Sequence, residues 1–118
     1  MFDFGKNWED YSKRILNCEK LDAAQESIIN LLGKDALKSK SFLDIGCGTG
    51  IFSISAANLG ASKVVGLDVN PRCIDVCKKN SQKFINKEIQ PEFKVVSVLD
   101  SRQLYELGTF DLVYAWGS

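Results

Sequence analysis

The chain has 118 residues, of which 45% are hydrophobic and 25% are charged, and its 15 basic and 15 acidic residues give a formal charge of zero. This length fits one domain with a single core, and the neutral balance does not resemble a basic nucleic-acid-binding surface. No apolar run approaches the roughly 18 residues of a membrane span, and the N-terminus lacks the features of a signal peptide, so we expect a cytoplasmic protein.

Residues 1–40 are predicted to form an N-terminal helical segment. A first short helix is marked by apolar residues at three- and four-residue steps: Trp8, Tyr11, Ile15 and Cys18. In a second helix Asp22 is the expected N-cap, with Gln25 three residues later and Gly33 as the C-terminal stop. Its apolar stripe is predicted to consist of Ala24, Ile28, Leu31 and Leu32.

Residues 41–118 alternate strands with helices, which predicts a parallel sheet joined by right-handed crossovers. The strand segments, in order, are SFLDI, KVVGLD, EFKVVSV and FDLVYAW. The helical segments between them are IFSISAANLG, a helix with Asn70 as N-cap and Pro71 in its first turn, and SRQLYELG. The predicted fold class is α/β: an incomplete, Rossmann-like parallel sheet of about four strands, with two N-terminal helices.

The four cysteines do not predict a metal site. Cys73 and Cys77 are one helical turn apart, but the chain contains no histidine that could complete a ligand set. We therefore expect reduced and mostly buried thiols.

The segment FLDIGCGTGIF, residues 42–52, places three glycines between the first strand and the following helix. In an open parallel sheet this position lies at the ligand crevice. Because they lack Cβ atoms, Gly46, Gly48 and Gly50 let a ligand lie against the backbone, and the free N–H groups at the helix start attract a carboxylate or phosphate. A tight turn without a ligand is the alternative, which the βαβ context disfavours.

The spacing of the glycines distinguishes between two kinds of ligand that the turn could bind. Dinucleotide-binding folds use G-x-G-x-x-G, but here the pattern is G-x-G-x-G and position 51 is Ile51. Asp44, two residues before the turn, would repel a pyrophosphate and attract a cation, so a ligand with an amine and a sulfonium fits better. An NAD- or nucleotide-binding Rossmann module is the main alternative, and a non-catalytic interaction module is the other.

FLDIGCGTGIF resembles the first motif of class I S-adenosylmethionine-dependent methyltransferases, and later segments resemble the family's next motifs in order. The resemblance implies that Asp68, in VVGLDVN, accepts hydrogen bonds from both ribose hydroxyls of S-adenosyl-L-methionine. In VSVLD it implies that Leu99 and Asp100 contact the adenine, Asp100 through the exocyclic amine. FDLVYAWG resembles the fourth-strand motif, which lines the methionine end of the cofactor and faces the substrate.

The predicted cofactor-binding residues lie in the turn and near the ends of the first three strands: Asp44, Gly46, Cys47, Gly48, Gly50, Asp68, Val69, Leu99 and Asp100. Cys47 receives no chemical role, and Val69 is a candidate for packing near the adenine. Two alternatives stay open, Asp68 as a surface carboxylate and Asp100 as a helix cap. Asp111 is expected to set strand geometry. We assign no catalytic base and no metal ligand, and Tyr114 is only placed near the mouth of the cleft.

The segment FDFGKNWEDYSKRIL is similar to leading helices that lie over the cofactor in a group of bacterial methyltransferases. Phe4, Trp8 and Tyr11 are therefore candidates for part of a cover, with packing on the sheet as an equally weighted alternative.

The family's domain has seven strands, whereas this sequence reaches only the fourth. FDLVYAW is too apolar for an edge strand, so we interpret the chain as truncated, with little or no activity alone. We expect it to self-associate through the exposed fourth strand. The methyl acceptor is unknown, and the neutral charge favours a small molecule over nucleic acid.

Overall fold

The computed structural model describes residues 16–85, 88–97 and 101–115. The predicted alternation of strands and helices after residue 40 is confirmed, whereas the first predicted N-terminal helix falls mostly outside the described residues. The elements are α1 (Cys18–Leu32), β1 (Ser41–Ile45), α2 (Ile51–Asn58), β2 (Lys63–Asp68), α3 (Pro71–Phe84), β3 (Glu92–Val95), α4 (Ser101–Glu106) and β4 (Leu112–Ala115).

The four strands form one parallel sheet in the order β3-β2-β1-β4. This confirms the predicted α/β fold class. β1 lies between β2 and β4, with Asp44 opposite Gly66 on one side and Tyr114 on the other. Because parallel strands end at the same edge, the turn after β1 lies beside the end of β2.

The hydrophobic core covers both faces of the sheet. Phe42 of β1 belongs to a cluster with Ile28 of α1 and Ala57 of α2. The next residue, Leu43, belongs to a second cluster, against which Leu104 of α4 packs. Burial of adjacent strand residues on both sides is typical of a parallel sheet and explains the nearly continuous apolar runs in the sequence.

Helix α1 begins earlier than predicted. Its N-cap is Asn17, whose side chain accepts a hydrogen bond from the backbone N–H of Lys20 at 2.8 Å. Asp22 instead lies exposed within the helix, so the prediction that it is the N-cap was wrong. The earlier start includes Leu21, which is buried in a cluster with Ile54. Burial of a leucine outweighs the small difference between two good capping residues.

The C-terminal end of α1 was predicted correctly, but part of the predicted apolar stripe was not. Gly33 ends the helix with a φ of 105°, and its N–H donates to the carbonyl of Ile29. Ala24 and Ile28 are buried as expected, but Leu31 is 79% exposed and Leu32 is 43% exposed. The buried side of α1 therefore consists of Leu21, Ala24 and Ile28, and the predicted stripe does not continue into the last turn.

β3 and β4 are the two edge strands of the described sheet. β3 is shorter than predicted, because it ends at Val95, opposite Asp68, the last residue of β2. On β4, Val113 is exposed, while Leu112 and Tyr114 pack against the α1 and α2 side of the core. Within the described ranges, no helix is long and apolar enough to cross a membrane.

Candidate functional site

The candidate site is built around the glycine turn, residues 46–50. Gly46, Gly48 and Gly50 have φ angles of 77°, 57° and 84°, a region that residues with a Cβ rarely adopt. The N–H groups of Gly46 and Cys47 both donate to the carbonyl of Leu67, at 2.8 and 2.9 Å. A Cβ at Gly48 would meet no atom within 4 Å. The turn is therefore fixed to β2 on its inner side and open at Gly48.

Asp68 joins the end of β2 to the glycine turn. Its Oδ2 accepts a hydrogen bond from the N–H of Gly48 at 3.2 Å, and its Oδ1 accepts one from the N–H of Asn70 at 2.9 Å. The side chain is half-buried. The structure thus brings two of the predicted site residues, Asp68 and Gly48, together and leaves the carboxylate partly accessible.

Asp44 lies in the interior, only 1% exposed, two residues before the turn. Its Oδ2 accepts a hydrogen bond from the hydroxyl of Ser53 at 2.8 Å. Burial raises the pKa of Asp44 to about 6, the two hydrogen bonds from Ser53 oppose this rise, and the charge of Asp68 adds to it. The predicted carboxylate is therefore next to the turn but within the protein.

Two residues that support Asp44 were not singled out in the sequence. Ser53 of α2 is fully buried, and Gly66 of β2 lies opposite Asp44 in the sheet. A Cβ at Gly66 would lie 2.7 Å from Cδ1 of Phe93 and 3.0 Å from Oγ of Ser53. Because Gly66 has no side chain, the ring of Phe93 and the hydroxyl of Ser53 can occupy the adjacent space. A glycine inside an apolar strand was the available signal, because such a glycine often marks a close approach.

Helix α3 holds the outer end of the glycine turn. The Sγ of Cys77 donates to the carbonyl of Gly48 at 3.1 Å, and the side-chain amide of Asn80 donates to the carbonyl of Thr49 at 2.9 Å. A Cβ at Gly50 would lie 3.2 Å from the Sγ of Cys77. The helix therefore packs directly against the turn, which fixes the position of the turn's carbonyl groups.

The thiols are mostly buried, as predicted, but their pairing was missed. The Sγ atoms of Cys47 and Cys77 lie 3.5 Å apart. From the sequence, only Cys73 and Cys77 were considered as neighbouring thiols. The hydrogen bond with Cys77, together with burial, raises the pKa of Cys47. Cys18 is exposed. In the part of the chain that the structure describes, no group of three or more potential ligands could hold a metal ion.

The remaining predicted site residues differ in what the structure shows. Val69 is 64% exposed at the end of β2. Asn70 caps α3, since its side chain accepts a hydrogen bond from the N–H of Arg72 at 2.9 Å. Leu99 and Asp100 lie outside the described residues. The same holds for the aromatic residues proposed as a cover: Phe4, Trp8 and Tyr11.

Asp111 lies at the opposite end of β1 from the turn. Its Oδ2 accepts hydrogen bonds from the N–H and the hydroxyl of Ser41, at 2.9 and 3.2 Å, and its own N–H donates to Oγ of Ser41 at 2.8 Å. These bonds lower the pKa of Asp111. The side chain thus joins β4 to β1, the structural role expected from the sequence.

Tyr114 of β4 is the polar side chain of that strand nearest to Asp44 in the sheet register. Its ring packs on Phe52 with centroids 4.8 Å apart, and burial raises its pKa. A phenol with a raised pKa is a poor general base near neutral pH, so the structure does not add a catalytic role for this residue.

The sequence from residue 24 to residue 116 matches the model of the ribosomal protein L11 methyltransferase family, PrmA. The chain belongs to this family. The match confirms the methyltransferase resemblance and disfavours the alternative of an NAD-binding module.

Two curated relatives are matched by this PrmA-family chain over part of their length. A Methanocaldococcus jannaschii protein named as a protein N5-glutamine methyltransferase is 40% identical over 67 residues, which cover 57% of this chain and 34% of the relative. The ribosomal protein L11 methyltransferase of Colwellia psychrerythraea is 34% identical over 90 residues, which cover 66% of this chain and 30% of the relative. The chain thus spans about a third of the length of these relatives.

A solved structure agrees with the family assignment. The magnesium protoporphyrin IX methyltransferase of Synechocystis PCC 6803, crystallised with bound S-adenosylmethionine, is 25% identical and superposes with a TM-score of 0.63. The similarity covers 81% of this chain and 43% of that chain. The four-stranded sheet of this PrmA-family chain is therefore part of an S-adenosylmethionine-dependent methyltransferase fold.

Proposed function

We propose that this PrmA-family chain binds S-adenosylmethionine at the glycine turn and provides the cofactor side of a methyl-transfer site. The observation that carries the proposal is the contact between Gly48 and Asp68. It places an open backbone segment and a partly accessible carboxylate at the ends of two adjacent inner strands. A turn without a ligand would not need three positive-φ glycines beside such a carboxylate.

Each side of the proposed site suits a different part of the cofactor. We infer that Asp68 accepts hydrogen bonds from the ribose hydroxyls, and that the open backbone at Gly48 admits the cofactor closely. The exposed Val69 supplies an apolar surface for the adenine. Leu99 and Asp100, outside the described residues, complete the adenine contacts in this proposal.

Methyl transfer is an in-line displacement in which the attacking atom approaches the methyl carbon opposite the sulfur. The enzyme contributes mainly by holding the two reactants in near-attack geometry. No general base is required when the nucleophile is a neutral nitrogen or an ionised oxygen or thiol. The proposed role of this part of the protein is therefore to fix the cofactor, and the acceptor is held elsewhere.

For the acceptor, the family and the two curated relatives are named for protein substrates. We therefore propose a protein side chain rather than the small molecule suggested by composition. The balanced net charge argues against long nucleic-acid contacts.

We further propose that residues 1–40 form a helical segment that precedes a cofactor-binding domain of residues 41–118. Packing of α1 on α2 through Ile28 and Ala57 supports a fixed arrangement of the two. We also propose that β4 mediates self-association, because it is an edge strand with the exposed apolar residue Val113. Analytical ultracentrifugation tests this, and a monomer at high micromolar concentration would contradict it.

The cofactor proposal is tested by isothermal titration of S-adenosylhomocysteine into the purified chain, with NAD as the control ligand. We expect saturable binding of S-adenosylhomocysteine only. Asp68→Ala should weaken it about tenfold or more, since one hydrogen bond to a charged group contributes roughly 1.5–3 kcal/mol. Asp75→Ala, at an exposed aspartate of α3, is the matched control and should bind normally.

Three results would contradict the proposal. They are preferential binding of NAD, unchanged affinity in Asp68→Ala, and no binding of either ligand by a chain whose circular dichroism shows that it is folded.

A further inference from the structure

Helix α2 contains two fully buried serines whose hydroxyl groups have different partners. Ser55 donates to the carbonyl of Ile51 at 2.6 Å, within the helix itself. Ser53 donates across to the carboxylate of Asp44 on β1 at 2.8 Å. Ser55 thus satisfies its donor locally, whereas Ser53 connects α2 to the strand that leads into the glycine turn.

The hydrogen bond between Ser53 and Asp44 has room because β2 carries a glycine, Gly66, at this point. The Oγ of Ser53 lies 3.0 Å from the position that a Cβ of Gly66 would occupy, and Phe93 fills the remaining space. Any larger residue at position 66 would displace the hydroxyl or the ring. The packing of α2, β1 and β2 therefore places the hydroxyl of Ser53 against the buried carboxylate of Asp44.

The other described groups that affect the pKa of Asp44 do not favour its charged form. Asp68, at the end of β2, carries the same charge and disfavours a second anion nearby. Tyr114 of β4 and Cys47 of the turn both respond to the charge of Asp44, and both are neutral near pH 7. Among the residues that the structure describes, the groups that favour ionisation of Asp44 are the hydroxyl and the backbone N–H of Ser53.

We propose that Ser53 is a positioning residue, whose hydroxyl holds the Asp44 carboxylate ionised next to the glycine turn and so favours a cationic ligand there. The inference rests on the proposed function, because S-adenosylmethionine carries a sulfonium and an ammonium group. An ionised Asp44 attracts such a ligand through the low-dielectric interior, and a protonated one does not. Ser53 itself does not contact the ligand.

The sign of the pH dependence follows from the pKa of Asp44, which is raised to about 6. Affinity for S-adenosylmethionine is full above this pH and falls as Asp44 becomes protonated below it. Removing the Ser53 hydroxyl removes a contact that favours the ionised form, so the pKa rises further. The fall in affinity then begins at a higher pH.

The first test follows the side-chain carboxyl carbon of Asp44 by NMR between pH 4 and pH 9, without ligand. In Ser53→Ala we expect the titration midpoint to rise by about one pH unit, the size expected for one lost hydrogen bond to a charged group. Ser55→Ala is the matched control, because it removes a buried hydroxyl from the same helix, and its midpoint should equal that of the unmodified chain. An unchanged midpoint in Ser53→Ala would overturn the inference.

The second test measures binding of S-adenosylmethionine by calorimetry at pH 6 and pH 8. Ser53→Ala should bind about fivefold more weakly than Ser55→Ala at pH 6, and about equally at pH 8. S-adenosylhomocysteine, which lacks the sulfonium charge, should show a smaller difference at pH 6. Equal affinities of the two serine variants for S-adenosylmethionine at pH 6 would overturn the ligand part of the inference.

Asp44→Asn serves as a second variant if Ser53→Ala does not fold. It keeps an acceptor for Ser53 but cannot ionise, so its affinity for S-adenosylmethionine should be low and independent of pH. Retention of the normal pH dependence would overturn the inference. If the unmodified chain binds no S-adenosylmethionine, the proposed function fails, whereas the NMR titration still decides whether Ser53 controls the charge of Asp44.

Discussion

The two ends of the sheet each contain a serine paired with an aspartate, with opposite consequences. At the amino end, Asp111 is exposed and accepts two hydrogen bonds from Ser41, and its pKa is lowered. At the carboxyl end, Asp44 is 1% exposed and bonded to Ser53, and its pKa is raised. In both pairs the hydrogen bonds from serine favour the ionised carboxylate, but at Asp44 the effect of burial on the pKa is larger.

The difference separates a carboxylate whose ionisation supports the fold from one whose ionisation opposes it. Ionised Asp111 stabilises the folded state above the ordinary carboxyl pKa, and this contribution is lost as the pH falls through the lowered value. For Asp44 the folded state holds a proton between 3.8 and about 6 that the unfolded state has released. Ionisation of Asp44 above this range therefore costs stability, as is common at functional sites.

The largest expected effect on stability is that of Asp44→Asn. A pKa raised from 3.8 to about 6 corresponds to a cost of at most ~3 kcal/mol at pH 8. Asparagine avoids this cost and still accepts a hydrogen bond from Ser53, so the free energy of unfolding at pH 8 should rise. Urea denaturation measures it, with Asp75→Asn as the exposed control. Destabilisation at pH 8 would show that the ionised carboxylate supports the fold after all.

Gly66→Ala should lower the free energy of unfolding by about 2 kcal/mol, because its Cβ would overlap with Phe93 and Ser53. Gly48→Ala is an informative comparison, since it has open space but a φ of 57°. It should cost only ~1 kcal/mol, from backbone strain alone. Urea denaturation of both variants at pH 7 measures these values. If the two variants were equally stable, the space beside Asp44 would be less restricted than the structure indicates.

The smallest expected effect is that of Asp111→Asn, because the group is exposed and its interactions are weakened by solvent. The melting temperature should fall slightly at pH 7, and the difference from the unmodified chain should shrink at pH 3, because the carboxyl of the unfolded state, with its ordinary pKa of 3.8, is mostly protonated there. Thermal melts at the two pH values measure it. A difference that is larger at pH 3 than at pH 7 would contradict the assigned sign.

The sheet and its connections were predictable because their signals are local. β1 and β2 follow from short apolar runs, and the Asn70–Pro71 start of α3 follows from the preferences of two neighbouring residues. Asp68 lies beside Gly48 because parallel strands end at the same edge of the sheet. The start of α1 was not predictable in this way, since Asn17 and Asp22 are both good caps and packing of Leu21 decides between them.

The partners of the site residues could not be read from the sequence. Ser53 reaches Asp44 only once α2 has packed against β1, and Cys47 meets Cys77 only once α3 has packed on the turn. Such contacts depend on the packing of elements that are distant in sequence. The sequence therefore indicated candidate residues for the site, and tertiary structure determines how their charges are balanced.

The order of the strands also determines which parts of the sheet unfold locally most easily. β1 and β2 have hydrogen-bonded neighbours on both sides, whereas β3 and β4 have one each in the described sheet. Amide hydrogens of β3 and β4 should therefore exchange with solvent through local fraying, and those of β1 and β2 through larger and rarer openings. Asp44, the glycine turn and Asp68 all belong to the inner pair and its connection. The surface that we propose to bind the cofactor should then persist while the edges of the sheet open and close.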